Sequence, residues 1–425
     1  METNILDFGA AGDGVTLNTS SIQAAIDACA AGGGGRVCIP AGCFKTGTLW
    51  LRSGVELQLF RGAELLASDR IKDYNALDAY PQNWSCEREE WQGCHLIVAH
   101  EVTDVAVTGE GFINGNCHAF VTRADSPAGK AFEWCNGVSA LRDPAVLRPG
   151  QLICFIESEC VRVQGITIKN SPCWSCYLLG CREVEIAHIC VRNPLWMLNS
   201  DGVDIDASCD VYVHDCDIET GDDALTLRAS EQRLIKNKGR HCENVRIERC
   251  TLSTGICAVR IGVGYGLIRH ARISALTVRR ATNLVQFCTA YIHRGRANMQ
   301  DIVISDVTTE NTDRLFELFA ANGAAVENVS LRNITSTSTV CNYAHNMGGV
   351  INGFLLQNVT LRFADKAKTL SPEALAFRGD ALLSFVGAEN VTLDGVSLHG
   401  SLAGVPEGTV RVEDCRNFLK RECSF

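Results

Sequence analysis

A chain of 425 residues with 46% hydrophobic content has ample material for a packed core, which excludes general disorder. Its 49 acidic residues outnumber 39 basic ones, for a formal charge of −10, and no basic cluster offsets this, so nucleic acid and anionic membrane are not expected as partners. No run approaches the roughly 18 apolar residues of a membrane span, and METNILDFGA lacks a basic segment followed by an apolar one; the expectation is a cytoplasmic protein.

In chain order, the first element predicted is a helix within 18–31. Its core SSIQAAIDACAA (20–31) places apolar residues at helical spacing, with Ser20 available as N-cap and the run Gly32–Gly35 to end it. The stretch 73–150 is less regular and carries Trp84, Trp91 and Trp134; it reads as a loop-rich insertion walling one end of a groove. Short alternating segments then recur: VRVQGITIKN (161–170), VEIAHICVRN (184–193), VYVHDCDIET (211–220), VRIERCTLST (245–254), IVISDVTTEN (302–311), VSLRNITSTS (329–338), FLLQNVTLRF (354–363) and VTLDGVSLHG (391–400). Alternation at this repeat length predicts a β-solenoid, best a right-handed parallel β-helix of about ten coils forming one domain over 1–425. Asn at the breaks suits the left-handed backbone of tight corners. The helix would cover the open end of the solenoid, as a terminal cap must.

The 22 cysteines are expected to be reduced, because many fall inside strand-like runs (Cys154, Cys190, Cys216) where a small apolar residue fits. Cys173 and Cys176 have redox or zinc spacing, but no second pair accompanies them, so no metal and no cofactor is expected. His188 and His214 read as rung residues.

The stretch 199–227, NSDGVDIDASCDVYVHDCDIETGDDALTL, holds Asp201 and, 21 residues on, Asp222 and Asp223. If the chain coils at that period, these acids sit on neighbouring rungs roughly 4.7–4.9 Å apart in backbone terms. Such a cluster can divide acid and base roles, bind Ca²⁺, or cap coil corners. Asp204 and Asp206 read as corner caps. Adjacent Asp222 and Asp223 would face opposite sides of a regular strand, so both reach one site only if Gly221 or a bulge bends the chain.

DFGAAGDG (7–14) with IQAAIDACAAGGGGRVCIPAG (22–42) resembles the opening of pectin-degrading β-helix enzymes, and ITIKNSPCW (166–174), NSDGVDI (199–205) and TGDDALTL (220–227) resemble glycoside hydrolase family 28, the polygalacturonase family. The resemblance implies hydrolysis of glycosidic bonds with inversion, Asp222 as general acid, and Asp201 with Asp223 as the pair that activates water. Crowding of Asp222 by two carboxylates would raise its pKa and keep it protonated. Two family motifs are missing. Cys257 stands where the family's Gly-His-Gly has its histidine, with Arg260 nearby in GICAVRIG (255–262). Gln286 and Cys288 of NLVQFCT (283–289) replace the basic residues of an Arg-Ile-Lys that binds a uronate carboxylate. Neither an amide nor a thiol makes charge-assisted pairs with a carboxylate. The expected substrate is therefore an oligosaccharide other than plain polygalacturonate, contacted by Asn199, Cys257, Arg260, Gln286 and Trp196. Arg279, Arg280, Arg294 and Arg296 are further candidates for a substitute clamp. An exo-acting enzyme is expected; the alternatives are a non-catalytic carbohydrate-binding β-helix and a Ca²⁺-dependent lyase.

Overall fold

The alternating segments become strands because each finds its counterpart one coil on. Val161 and Val163 pair in register with Val184 and Ile186, these with Val211 and Val213, and these with Val245 and Ile247. All eight side chains are buried, and each removed from water contributes about 1.5–3 kcal/mol. The computed structural model describes residues 1–75, 91–124, 138–230, 240–290, 295–364 and 379–425. Over these the chain forms a right-handed parallel β-helix. One coil shows the plan: Cys209–His214 lies in a first ladder, Asp217–Thr220 in a second and Leu225–Ala229 in a third. The ladders start at Glu2–Asn4 and reach Leu419–Arg421, so the solenoid extends beyond the segments that repeat visibly. A coil hidden from the repeat count runs through Leu267–Cys288, where Ala271 and Ile273 continue the Val245 and Ile247 stacks.

Many of the tight corners carry one residue in a left-handed backbone conformation. Asn328, Asn333 and Asn358 do so and carry a side-chain ladder, Asn333 donating to Asp306 (3.0 Å) and Asn358 to Asn333 (3.1 Å). Yet Glu183, His188, Arg249 and Ala275 hold the same conformation. A non-glycine residue there costs roughly 1–2 kcal/mol; the stacked ladders on either side impose the turn.

The cap helix spans Thr19–Ala31 and buries Ile22, Ala25, Ile26 and Cys29 against the first coils. Its N-cap is Asn18, not Ser20, and Asn18 makes no capping bond. Its amide instead exchanges hydrogen bonds with the backbone of Ala11 (2.7 and 3.0 Å), tying the helix entry to the loop before it. The stretch 73–150 is not continuous insertion: Ile97–His100, Thr103–Gly109 and Phe112–Asn114 form ordinary rungs within it. Trp84 and Trp134, and the side chain of Trp91, lie outside the described residues. No disulfide joins two described cysteines, and among the described residues no helix is long and apolar enough to cross a membrane.

Candidate active site

The third ladder presents a row of outward side chains set by register. Tyr177, Asp204, Thr226, Arg260, Gln286, Glu317 and Tyr343 lie side by side on successive coils. Such a row is polar because alternate residues of each strand, such as Ile205, Leu227 and Ile261, fill the interior. Connections from the second ladder to the third enter at one edge of this row, and two of them carry the acids.

Asp222 and Asp223 sit in the bend between Thr220 and Leu225 rather than on a strand. Gly221 permits the bend by close approach: a Cβ there would lie 2.2 Å from the Met197 carbonyl oxygen. Gly202, next to Asp201, is equally confined, with a Cβ 2.3 Å from the Ala224 carbonyl. The bend turns both aspartates toward Asp201, and one carboxylate oxygen from each of the three lies within 4.8 Å of the others. Both Asp222 oxygens accept backbone N–H groups, from Asn199 (3.0 Å) and Asp223 (3.0 Å). Asn199 reaches this position in a left-handed conformation, its side-chain oxygen accepting from Arg148 (2.6 Å). Asp223 accepts from Arg260 Nη2 (3.1 Å), Arg260 Nε and the Cys257 N–H (3.2 Å).

Burial divides the three acids. Asp201 and Asp223 are 4% and 3% exposed, whereas Asp222 is half-buried. Asp201 is pushed well above the usual carboxylate range, first by desolvation and then by the charges of Asp204, Asp222 and Asp223; its Oδ1 is buried without a hydrogen-bond partner. For Asp201 desolvation thus outweighs like-charge repulsion as the cause of the upward push. Asp204 is raised to about 7, mainly by burial, with Arg228 opposing. Asp204 and Asp206 are not corner caps; strand alternation puts them on the outward face, where Asp206 accepts from Tyr177 (3.0 Å) and the Ser230 N–H (2.7 Å).

The cavity over the triad is lined by Trp174, Asn199, Asp201, Asp222, Asp223, Arg228, Arg260 and Val263. It therefore gathers the three acids with Asn199 and Arg260. Cys257 is fully buried; it donates its N–H to Asp223, and its thiol meets the Gln286 amide oxygen at 3.7 Å. Gln286 lies one rung beyond, accepting from Arg260 Nη1 and donating to Glu317 (2.8 Å). Cys288, half-buried, has its thiol pKa raised by burial. Trp196 does not line this cavity; it packs on the core and against His118, ring centres 5.6 Å apart. Neither do Arg279 and Arg296, both exposed, or Arg280; Arg294 is outside the described residues. Sequence reading missed Arg228 and Glu317. Arg228 closes the TGDDALTLR block at outward parity, a signal that strand alternation offered; Glu317 carries no local mark and is identified only by its register with Gln286.

Carboxyl groups this close titrate with the group as a whole, and burial and like charge favour the protonated form of Asp201. Arg260, hydrogen-bonded to both oxygens of Asp223, sets a cation beside that member. The cluster can thus present an acid and an anion to one bound molecule.

Residues 29–369 match the family model for glycosyl hydrolases family 28. A probable polygalacturonase of Vitis vinifera is 26% identical over 389 residues, covering 86% of this chain and 75% of that one. An exo-poly-alpha-D-galacturonosidase of Dickeya chrysanthemi is 30% identical over 256 residues, 53% of this chain and 42% of that one. The family 28 exopolygalacturonase of Yersinia enterocolitica superposes with a TM-score of 0.68 at 22% identity, over 98% of this chain and 78% of that one. The hyperthermoactive exopolygalacturonase from Thermotoga maritima gives 0.64 at 20% identity, over 93% and 92%. The extent of the family match places this chain in glycosyl hydrolases family 28, as a polygalacturonase-like glycosidase on a parallel β-helix.

Proposed function

We propose that this enzyme is an inverting, exo-acting glycosidase that trims pectin-derived oligosaccharides, with Asp222 as general acid and Asp201 and Asp223 as the water-activating pair. The observation that carries this is the unequal burial of three clustered carboxyls: Asp222 alone is open enough to meet a substrate oxygen. The shared proton rests between Asp201 and Asp222. Asp222 delivers it to the glycosidic oxygen as that bond breaks. Asp201, then ionised, takes a proton from water attacking the anomeric carbon from the opposite face. Asp223, held by its hydrogen bonds from Arg260, orients that water. Exo action is supported by relatives and structural neighbours that bear exo-acting names.

On the rung after Arg260, a uronate would meet the Gln286 amide and, behind it, the Glu317 carboxylate. The amide and the Arg314-paired Glu317 offer a uronate no cation of their own, which favours a neutral sugar there. The many buried thiols fit work in a reducing compartment, on oligosaccharides already inside the cell.

Asp222→Asn tests the assignment. Turnover should fall by about 10²–10⁴-fold with far-UV dichroism unchanged, and the wild-type product should first appear, by NMR, as the inverted anomer. Undiminished turnover in the variant removes Asp222 from the role, and a retained anomer removes the water-activating pair.

A further inference from the structure

Three connections from the second ladder to the third, 170–175, 193–202 and 221–224, follow one another on successive coils beside the site. A residue from outside all three joins the first two. Arg148, in the short strand Arg148–Pro149 and 4% exposed, donates from Nη1 to the carbonyls of Pro172 (2.9 Å) and Leu198 (2.8 Å). Its Nη2 donates to Asn199 Oδ1 (2.6 Å). Asn199 in turn joins the third connection, its N–H donating to Asp222 Oδ2 (3.0 Å). The Leu198 carbonyl and the Asn199 N–H belong to one planar peptide unit. The guanidinium therefore holds one end of that peptide, and the other end holds the Asp222 carboxyl.

We propose that Arg148 is a positioning residue for the general acid, fixing the Leu198–Asn199 peptide and through it the Asp222 carboxyl. The inference rests on the glycosidase reading above, and Arg148 is not among the residues lining the cavity over the triad. A carboxyl held at one oxygen still swings; a second donor on the other oxygen fixes its plane. Asp222 Oδ1 takes its donor from the adjoining Asp223 N–H, which moves with the same bend. The Asn199 N–H comes from another coil, so it sets the acid in the frame of the solenoid. Asn199 gives that bond from a left-handed conformation (φ 53°), and Arg148 grips both the carbonyl before it and its side chain. Hydrogen bonds from a charged donor are the stronger kind, which suits a brace between two loops. Proton delivery to a glycosidic oxygen needs that accuracy, since a displacement of about 1 Å costs about 10²-fold.

The test is a double-mutant cycle of Arg148→Lys and Asp222→Asn on a pectic oligosaccharide that wild type cleaves. It is repeated on the dinitrophenyl glycoside of the sugar released. Dinitrophenolate departs without protonation, so that substrate registers damage to the site other than loss of the acid. Lysine keeps the charge but not the fork that spans two connections. Arg148→Lys should lower kcat on the oligosaccharide by about 10–100-fold with KM little changed. It should leave kcat on the aryl glycoside near wild type, and add almost no loss where Asp222 is already Asn. Should Arg148→Lys fail to fold by far-UV dichroism, Asn199→Gly enters the same cycle. Glycine keeps the N–H and the left-handed backbone but removes the acceptor for Arg148, and kcat should show the same dependence on leaving group. Equal losses on both substrates, or losses that multiply in the double variant, overturn the proposal. So does full activity in Arg148→Lys beside a crippled Asp222→Asn, which leaves the catalytic reading standing; full turnover in Asp222→Asn overturns both.

Discussion

Arg260 donates to both carboxylate oxygens of Asp223 from one rung away, with both side chains almost wholly buried. The family's histidine position is filled by Cys257, whose backbone N–H donates to the same aspartate. A fixed cation thus stands beside the aspartate cluster. Replacing Arg260 by Met should leave Asp223 buried and uncompensated, at a cost of about 3–5 kcal/mol in folding free energy. Asp223 also loses the two hydrogen bonds that fix its orientation, so kcat should fall as well. Denaturant unfolding and initial rates check the two effects separately.

Asp204 has a folded-state pKa near 7 against an ordinary carboxyl value of 3.8, and Asp201 shifts in the same direction. A raised carboxyl pKa means the folded state holds the proton more tightly than the unfolded chain. That contribution is fully present below about pH 4 and is lost as pH rises through 7. Asp204→Asn should therefore flatten the fall in unfolding temperature between pH 4 and 8 relative to wild type, measured by scanning calorimetry. A steeper fall in the variant contradicts the assignment.

Gln286, at one of the two positions where the family's basic residues would stand, donates to Glu317 on the next coil at 2.8 Å. If this pair is what turns a uronate away, reversing its charge should admit one. The double variant Gln286→Arg, Glu317→Gln should raise kcat/KM on unesterified polygalacturonate oligomers by about tenfold, the scale of one charge-assisted contact. Initial rates on defined oligomers test this. No gain, with fold and Asp222 dependence intact, would mean that these rungs do not select the sugar.

Much of this molecule is legible locally. The alternation in segments such as 211–220 and 329–338 is a property of single strands, so it announces parallel coils before any contact is known. The cap helix shows for the same reason, although its start is set by Asn18 bonding to Ala11, a contact that helix signals do not encode. The coil through Ala271 escaped because small and charged residues blur its alternation; its neighbours on both sides determine its register.

The site divides in the same way. Asp201, Asp222 and Asp223, with the missing histidine and Arg-Ile-Lys, follow from the sequence because motif spacing equals the coil length. Arg228 over Trp174, Glu317 behind Gln286 and Arg260 on Asp223 join residues 31 to 54 positions apart in the chain. Sequence determined which residues occur on each rung; stacking decided which side chains on neighbouring rungs meet. Which acid is most deeply desolvated, and so where the proton rests, depends on burial, and burial is fixed only when the whole solenoid is wound.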